Sequence, residues 1–196
     1  MRTDPLSNCE RAFYLASFAQ NERIDGRKCD EFREVKVLVG SELGSCLTTL
    51  GQTKVLAQVS CSLVEPSSTR GNMGMVEVQV DMSPMACPEN EDGRLGSKGL
   101  ELMRILELLY RDCGVIDLES LCLRAFKQAG VWQIRIDIHV LDEDGSLVDC
   151  ACIASLTALA HFRRPDVSHS GSDKIPIPLN IYHMPVCVSF GMFADG

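Results

Sequence analysis

The sequence has no C-x-x-C pair, a single tryptophan, and no apolar run near the roughly 20 residues a membrane-spanning helix needs. Basic residues are in the minority. Lys plus Arg is 19 against 27 for Asp plus Glu, a net charge of −8. Each shortage excludes something. The ten cysteines are scattered, with Cys150-x-Cys152 the tightest spacing, and only four histidines accompany them. Zinc sites use short paired spacings, so no metal site is expected. An acidic chain does not hold nucleic acid by bulk attraction. Any RNA contact has to come from a few local arginines or from a surface shared with partners. Met1 to Asn8 contains no apolar stretch of the kind that forms a secretory signal. The cysteines are therefore expected to be reduced, buried thiols of a cytosolic or nuclear protein.

What is present is an ordinary globular composition, 45% apolar and 23% charged over 196 residues. That length suits one domain with its own core, or two very small ones. Ser7 and Glu10 form a capping-box signature for a first helix, with Ala12, Phe13 and Ala16 as its loose apolar face. Val35, Val37 and Val39 then alternate with polar residues. Cys46 to Leu50, the turn Gly51-Gln52, and Thr53 to Leu63 complete an expected three-strand antiparallel meander. Met75 to Met82 alternates again, with Val76, Val78 and Val80 on one face. A helix is expected from Lys98 to Arg111, striped by Leu102, Ile105, Leu106 and Leu109. Leu118–Phe126 and Val131–Leu141 read as paired strands. Val148–Phe162 is apolar on nearly all sides, the pattern of a central, covered helix. A last strand is expected from Val186 to Phe193. The order describes an α+β fold, a mixed or antiparallel sheet with helices packed on it.

The polar clusters have modest readings. Asp142, Glu143, Asp144 and Asp149 surround a turn; a divalent-cation site is conceivable there, but a solvated turn with Asp149 near a helix N-terminus explains them. Asp137 and His139 share a strand face and suit acid–base work, but no nucleophile elbow accompanies them, so a polar face at a subunit surface is preferred. Arg163 and Arg164 end the apolar helix, where the dipole favours cations. Arg70, on a polar loop, and Arg104 and Arg111, seven apart on a helix, are the candidates for RNA contact. Their plain reading is solubility and helix ion pairs, Glu101 with Arg104 and Glu107 with Arg111.

Several segments in order resemble the ribonuclease PH family. Arg23-Ile24-Asp25-Gly26-Arg27 is similar to its R-x-D-G-R opening, and Gly51-Gln52-Thr53-Lys54-Val55 to its G-x-T-x-V strand. Glu119-Ser120-Leu121-Cys122, Val131-Trp132-Gln133-Ile134-Arg135, His161 to Val167 and His183 to Phe190 are narrower, and look like the ring subunits of the eukaryotic exosome. The resemblance implies one ribonuclease PH-like domain over 1–196, with residues 1–30 as an N-terminal helix and R-x-D-G-R segment and 31–196 as the core. The implied fold is of the ribosomal-protein-S5 domain 2 type, with its C-terminal part missing.

It implies RNA, other ribonuclease PH-like exosome subunits in a hetero-hexameric ring, and RNA-binding cap subunits as partners, with no membrane and no cofactor. The implied place of work is the nucleus, nucleolus included, and the cytoplasm. Active members carry Gly-Arg where Glu107-Leu108 stands, and Thr-Arg-Thr where Leu147-Val148-Asp149 stands. Their catalytic aspartates lie on a strand beyond residue 196. A non-catalytic subunit of an RNA-threading ring is therefore expected. The alternatives are a phosphate-dependent 3′-to-5′ exoribonuclease and a protein–protein adaptor.

Overall fold

The structure, a computed structural model, describes residues 7–66, 71–88, 90, 91, 93–123, 130–166 and 176–191. The backbone divides into two compact units. One comprises the described residues of Met1–Glu34 and Phe190–Gly196, the other Val35–Ser189.

In the smaller unit, α1 (Asn8–Ala19) opens with the full reciprocal box: Glu10 N–H donates to Ser7 Oγ at 3.3 Å, and Ser7 N–H donates to Glu10 Oε2 at 2.8 Å. Its apolar face is not buried; Phe13 is 62% exposed. The R-x-D-G-R segment that follows is a self-contained turn. Gly26 takes φ +79°, Arg23 N–H donates to Arg27 O at 2.8 Å, and Arg27 Nε donates to Asp25 Oδ2 at 2.7 Å. That guanidinium holds the Asp25 carboxyl below its usual range. Arg23 turns onto the Cys29 carbonyl. The motif thus closes its own loop.

The larger unit is built on a sheet of β1 (Val35–Val39), β2 (Ser45–Leu50), β3 (Thr53–Val64), β4 (Met75–Met82), β5 (Cys122–Leu123) and β6 (Gly130–Asp142). Its order is β1-β2-β3-β6-β4, with β5 also pairing β6. The first three strands form the expected meander. Gly51, at φ +62°, supplies the positive φ that a two-residue hairpin turn needs at its first central position. β4 runs parallel to β6, and parallel neighbours need a crossover. That crossover is α2 (Ser97–Glu107).

Side chains alternate along β6 from Trp132 to Val140. Ile134, Ile136 and Ile138 are fully buried, while Arg135, Asp137 and His139 face the other way. The buried face is covered by α2 and by α3 (Leu147–His161), whose Cys150, Ala151, Cys152, Ala154, Ala158 and Leu159 are all inaccessible. The opposite face of the sheet is polar. The mixed α+β architecture follows from this two-layer arrangement.

Three expectations change. The helix of 98–111 is α-helical only to Glu107 and then widens into a π-turn, Leu108–Asp112. The strand of 118–126 shrinks to β5, because Asp117 accepts from the N–H groups of Glu119 and Ser120 and tightens a 3₁₀ turn before it; residues 124–126 lie outside the described set. Among the described residues, 186–191 are not a strand, and Ser189 there bonds the Asp149 side chain instead of a neighbouring strand; 192 and 193 lie outside the set. Instead β7 (Arg163–Arg164) pairs with β8 (Ile177–Pro178).

The cysteines are all free, but only Cys46, Cys150 and Cys152 are buried, while Cys9 and Cys113 are exposed. Burial depends on the face each residue meets, which thiol chemistry does not reveal.

Candidate nucleic-acid interface

α2 presents an apolar stripe to the sheet. Leu102 and Leu106 are buried, and the π-turn brings Tyr110 into the same seam. There the Tyr110 hydroxyl donates to Ser155 Oγ, which itself donates to Ala151 O at 2.6 Å. Burial pushes the Tyr110 phenol far above its usual range, so it stays neutral. This hydrogen bond ties the end of α2 to α3.

With that face committed, Arg104 and Arg111 are left on the exposed surface. Neither forms an ion pair with a described residue, and the expected pairs with Glu101 and Glu107 are absent. Both pairs have helical spacing, so reach alone does not make the contact: these exposed side chains take other rotamers. Arg70, the third candidate, lies outside the described residues.

The other cations of the larger unit are largely committed to acids. Lys54 meets Asp142 and Lys98 meets Glu143, both at 3.2 Å. Arg135 Nε donates to Asp137 at 2.8 Å and its guanidinium also reaches Gln79. His139 Nδ1 sits 3.3 Å from Asp81. Asp137 and His139 are therefore not a catalytic pair; each is bonded to a different residue. Arg163 Nη1 donates to the carbonyls of Ala160 and Phe162, at 2.8 and 2.9 Å, capping the C-terminus of α3 as expected. Sequence reasoning missed a cleft of about 540 Å³ at the β4 edge, lined by Gln79, Asp81, Arg94, Arg135, Asp137 and His139. Its cations and anions nearly cancel. No single-residue signal marks it, because it forms only when β4 and β6 lie parallel.

The N-terminus of α3 is where an anion would bind. Ser146 stands there in the left-handed region, φ 50° and ψ 40°, without a side-chain cap. Thr53 Oγ1 donates to Gly145 O at 2.8 Å and holds the preceding turn against β3. Asp149, 1% exposed, occupies the first helical turn. It accepts from Ser189 N–H at 3.1 Å and Ser189 Oγ at 2.9 Å. The positive end of the helix already carries a buried, hydrogen-bonded carboxylate. The side chains of Leu147 and Val148 pack against the core and offer no donor. Leu108, at the start of the π-turn, is 55% exposed. Among the described residues, no group of three or more His, Cys, Asp or Glu is placed to hold a metal ion, and no helix is long and apolar enough to cross a membrane.

A family model for the 3′ exoribonuclease family, domain 1, matches residues 31–165. The chain belongs to this family, the RNase PH family. Curated RNase PH relatives include the exosome complex component RRP45 of Danio rerio, 47% identical over 100% of this chain and 51% of its own length. The protein of the same name from Homo sapiens is 43% identical over 100% of this chain and 46% of its own length. That from Saccharomyces cerevisiae is 36% identical over 96% and 64%. The chain thus spans about half the length of the vertebrate relatives.

Among solved structures, a chain of the Archaeoglobus fulgidus exosome with RNA bound to the active site superposes with a TM-score of 0.75 at 31% identity, covering 88% of this chain and 68% of that one. A chain of an archaeal exosome core gives 0.69 at 28% identity, covering 88% and 66%. The RNase PH-like fold expected from the motifs is the fold observed.

Proposed function

We propose that this chain is the RNase PH-like part of a non-catalytic exosome ring subunit of the RRP45 type, the polymyositis/scleroderma autoantigen class also called exosome component nine. It helps form the channel that threads RNA for 3′-to-5′ processing and decay, of ribosomal RNA among others. Its neighbours are other RNase PH-like subunits in a hetero-hexameric ring, with RNA-binding cap subunits above it. It works in the nucleus, including the nucleolus, and in the cytoplasm.

The observation that carries the non-catalytic reading is the carboxylate at the N-terminus of α3. Phosphorolysis needs inorganic phosphate beside the 3′-terminal linkage. Asp149 sits in the first turn at this helix end, and a phosphate would meet a like charge there. RNA contact instead falls to Arg104 and Arg111, whose guanidiniums are not neutralised by described acids, and to Arg70. Three arginines on an acidic chain make a local, salt-sensitive contact.

The test is a reconstituted ring without hydrolytic subunits. Changing Arg70, Arg104 and Arg111 together to Glu is expected to weaken RNA binding while the ring still assembles. Labelled RNA with inorganic phosphate is expected to release no nucleoside diphosphate that depends on this subunit. Release abolished by mutating this subunit and not its neighbours would favour the phosphate-dependent exoribonuclease. Failure to enter any ring would favour the adaptor.

A further inference from the structure

One edge of the sheet is built like an unfinished pairing. Among the described residues β1 pairs with β2 on one side only, in unbroken register from Val35 opposite Leu50 to Val39 opposite Cys46. Gly40 N–H donates to Ser45 O at 2.9 Å. Antiparallel pairs alternate, so Leu38 and Lys36 also turn their main-chain groups toward β2. Val35, Val37 and Val39 then point their N–H and C=O groups outward. Their side chains share the register of Cys46, Thr48 and Leu50, the helix-covered face, but remain 39%, 39% and 51% exposed. Leu38 on the other face is 61% exposed. Edge strands are normally guarded by several charges, proline or a bulge. β1 has one lysine, Lys36, and neither of the others.

We infer that the outer edge of β1 receives a strand from a neighbouring RNase PH-like subunit, which continues both the hydrogen-bond ladder and the apolar face of the sheet. The inference rests on the ring reading and names one contact within it. Two physical arguments select this occupant. A second copy would bring another net charge of −8 against the first, which repels. A free peptide strand is also disfavoured: five residues extend only about 17 Å, and pairing over that length falls well short of a standard interface of about 1,200–2,000 Å². The edge therefore suits a partner that makes further contacts elsewhere, as a ring neighbour does.

Hydrogen exchange resolved to single amides, on the full chain alone and in the assembled ring, tests this. The amides of Val35, Val37 and Val39 are expected to exchange at least about tenfold more slowly in the ring, while Lys36 and Leu38, already paired with β2, change little. Val37→Pro removes one outward donor and no bond to β2, a position where an edge strand tolerates proline. It is expected to leave thermal unfolding of the chain nearly unchanged and to lower co-purification with the ring about tenfold, as loss of main-chain bonds at an interface does. Should Val37→Pro fail to fold, Val35→Lys with Val39→Lys blocks the same edge and keeps every backbone group. A ring that assembles while the outward amides exchange as fast as in the free chain overturns the inference and leaves the ring reading standing. Protection that appears in the chain alone and grows with concentration assigns the edge to a second copy and overturns it too. Absence from any ring overturns the ring reading itself.

Discussion

Two helices cover one face of the same sheet and do different work. α3 is apolar around most of its circumference and lies inside the molecule, with Asp149 and Ser155 its buried polar side chains, both hydrogen-bonded. α2 is apolar on one stripe only and carries Arg104 outward. α3 supplies stability and has little surface left to offer a ligand. α2 contributes less to the core and leaves Arg104 exposed, while Lys98 is held by Glu143. The first turn of α3 holds the buried Asp149, bonded to Ser189, whereas Arg111, in the π-turn after α2, is exposed and without an ion pair among the described residues. Burial and display are divided between the two helices.

The sharpest way to break this contrast is at the buried helix. Leu159→Ala removes a fully buried side chain on α3 and is expected to cost about 2–5 kcal/mol, read from the denaturant midpoint of the chain. A loss below 1 kcal/mol would mean α3 is not the structural helix. Asp149→Ala leaves both Ser189 donors without their acceptor and removes a carboxylate from the helix N-terminus. About 1–3 kcal/mol is expected to be lost, with faster exchange of the Ser189 amide. If phosphate then stabilises the variant and not the parent chain, the positive pole has become an anion site, as the argument requires.

Arg104→Glu with Arg111→Glu is expected to change stability by no more than about 0.5 kcal/mol, because both side chains are exposed and unpaired among the described residues. Their neutral replacements by Gln are expected to lower the salt dependence of RNA binding by the ring by about one unit per arginine that touches phosphate.

The smallest effect is chemical. Burial, reinforced by the neighbouring Cys187, pushes the Cys152 thiol on α3 up to about 12. It therefore stays protonated through neutral and mildly alkaline pH, and the thiolate is the reactive form. Alkylation of the folded chain is expected at exposed Cys113, just past the π-turn, and not at Cys152, with no gain at Cys152 as pH rises from 7 to 9. Peptide mass mapping before and after unfolding reads it.

Alternation and capping were legible because they are local. The period of two in β2, β3, β4 and β6, the all-round apolar α3, and the Ser7–Glu10 box all stand where the residues put them. Arg104 and Arg111 were legible as candidates for the same reason: a charge opposite an apolar stripe must face outward. The absence of the Glu107–Arg111 pair among the described residues was not, since helical spacing puts two side chains within reach without fixing their rotamers.

By itself, the sequence determined which side of each strand is apolar and where the major helices begin, because those choices follow from side-chain chemistry repeated over a few residues. Only the tertiary structure decided who stands next to whom. His139 meets Asp81 because β4 lies parallel to β6, Asp149 meets Ser189 across forty positions of chain, and Val35, Val37 and Val39 are left at an open edge because β1 ends the sheet. Neighbours far apart in the chain are chosen by the packing of whole elements, and the free energy that selects one arrangement is summed over the entire core rather than written in any one segment.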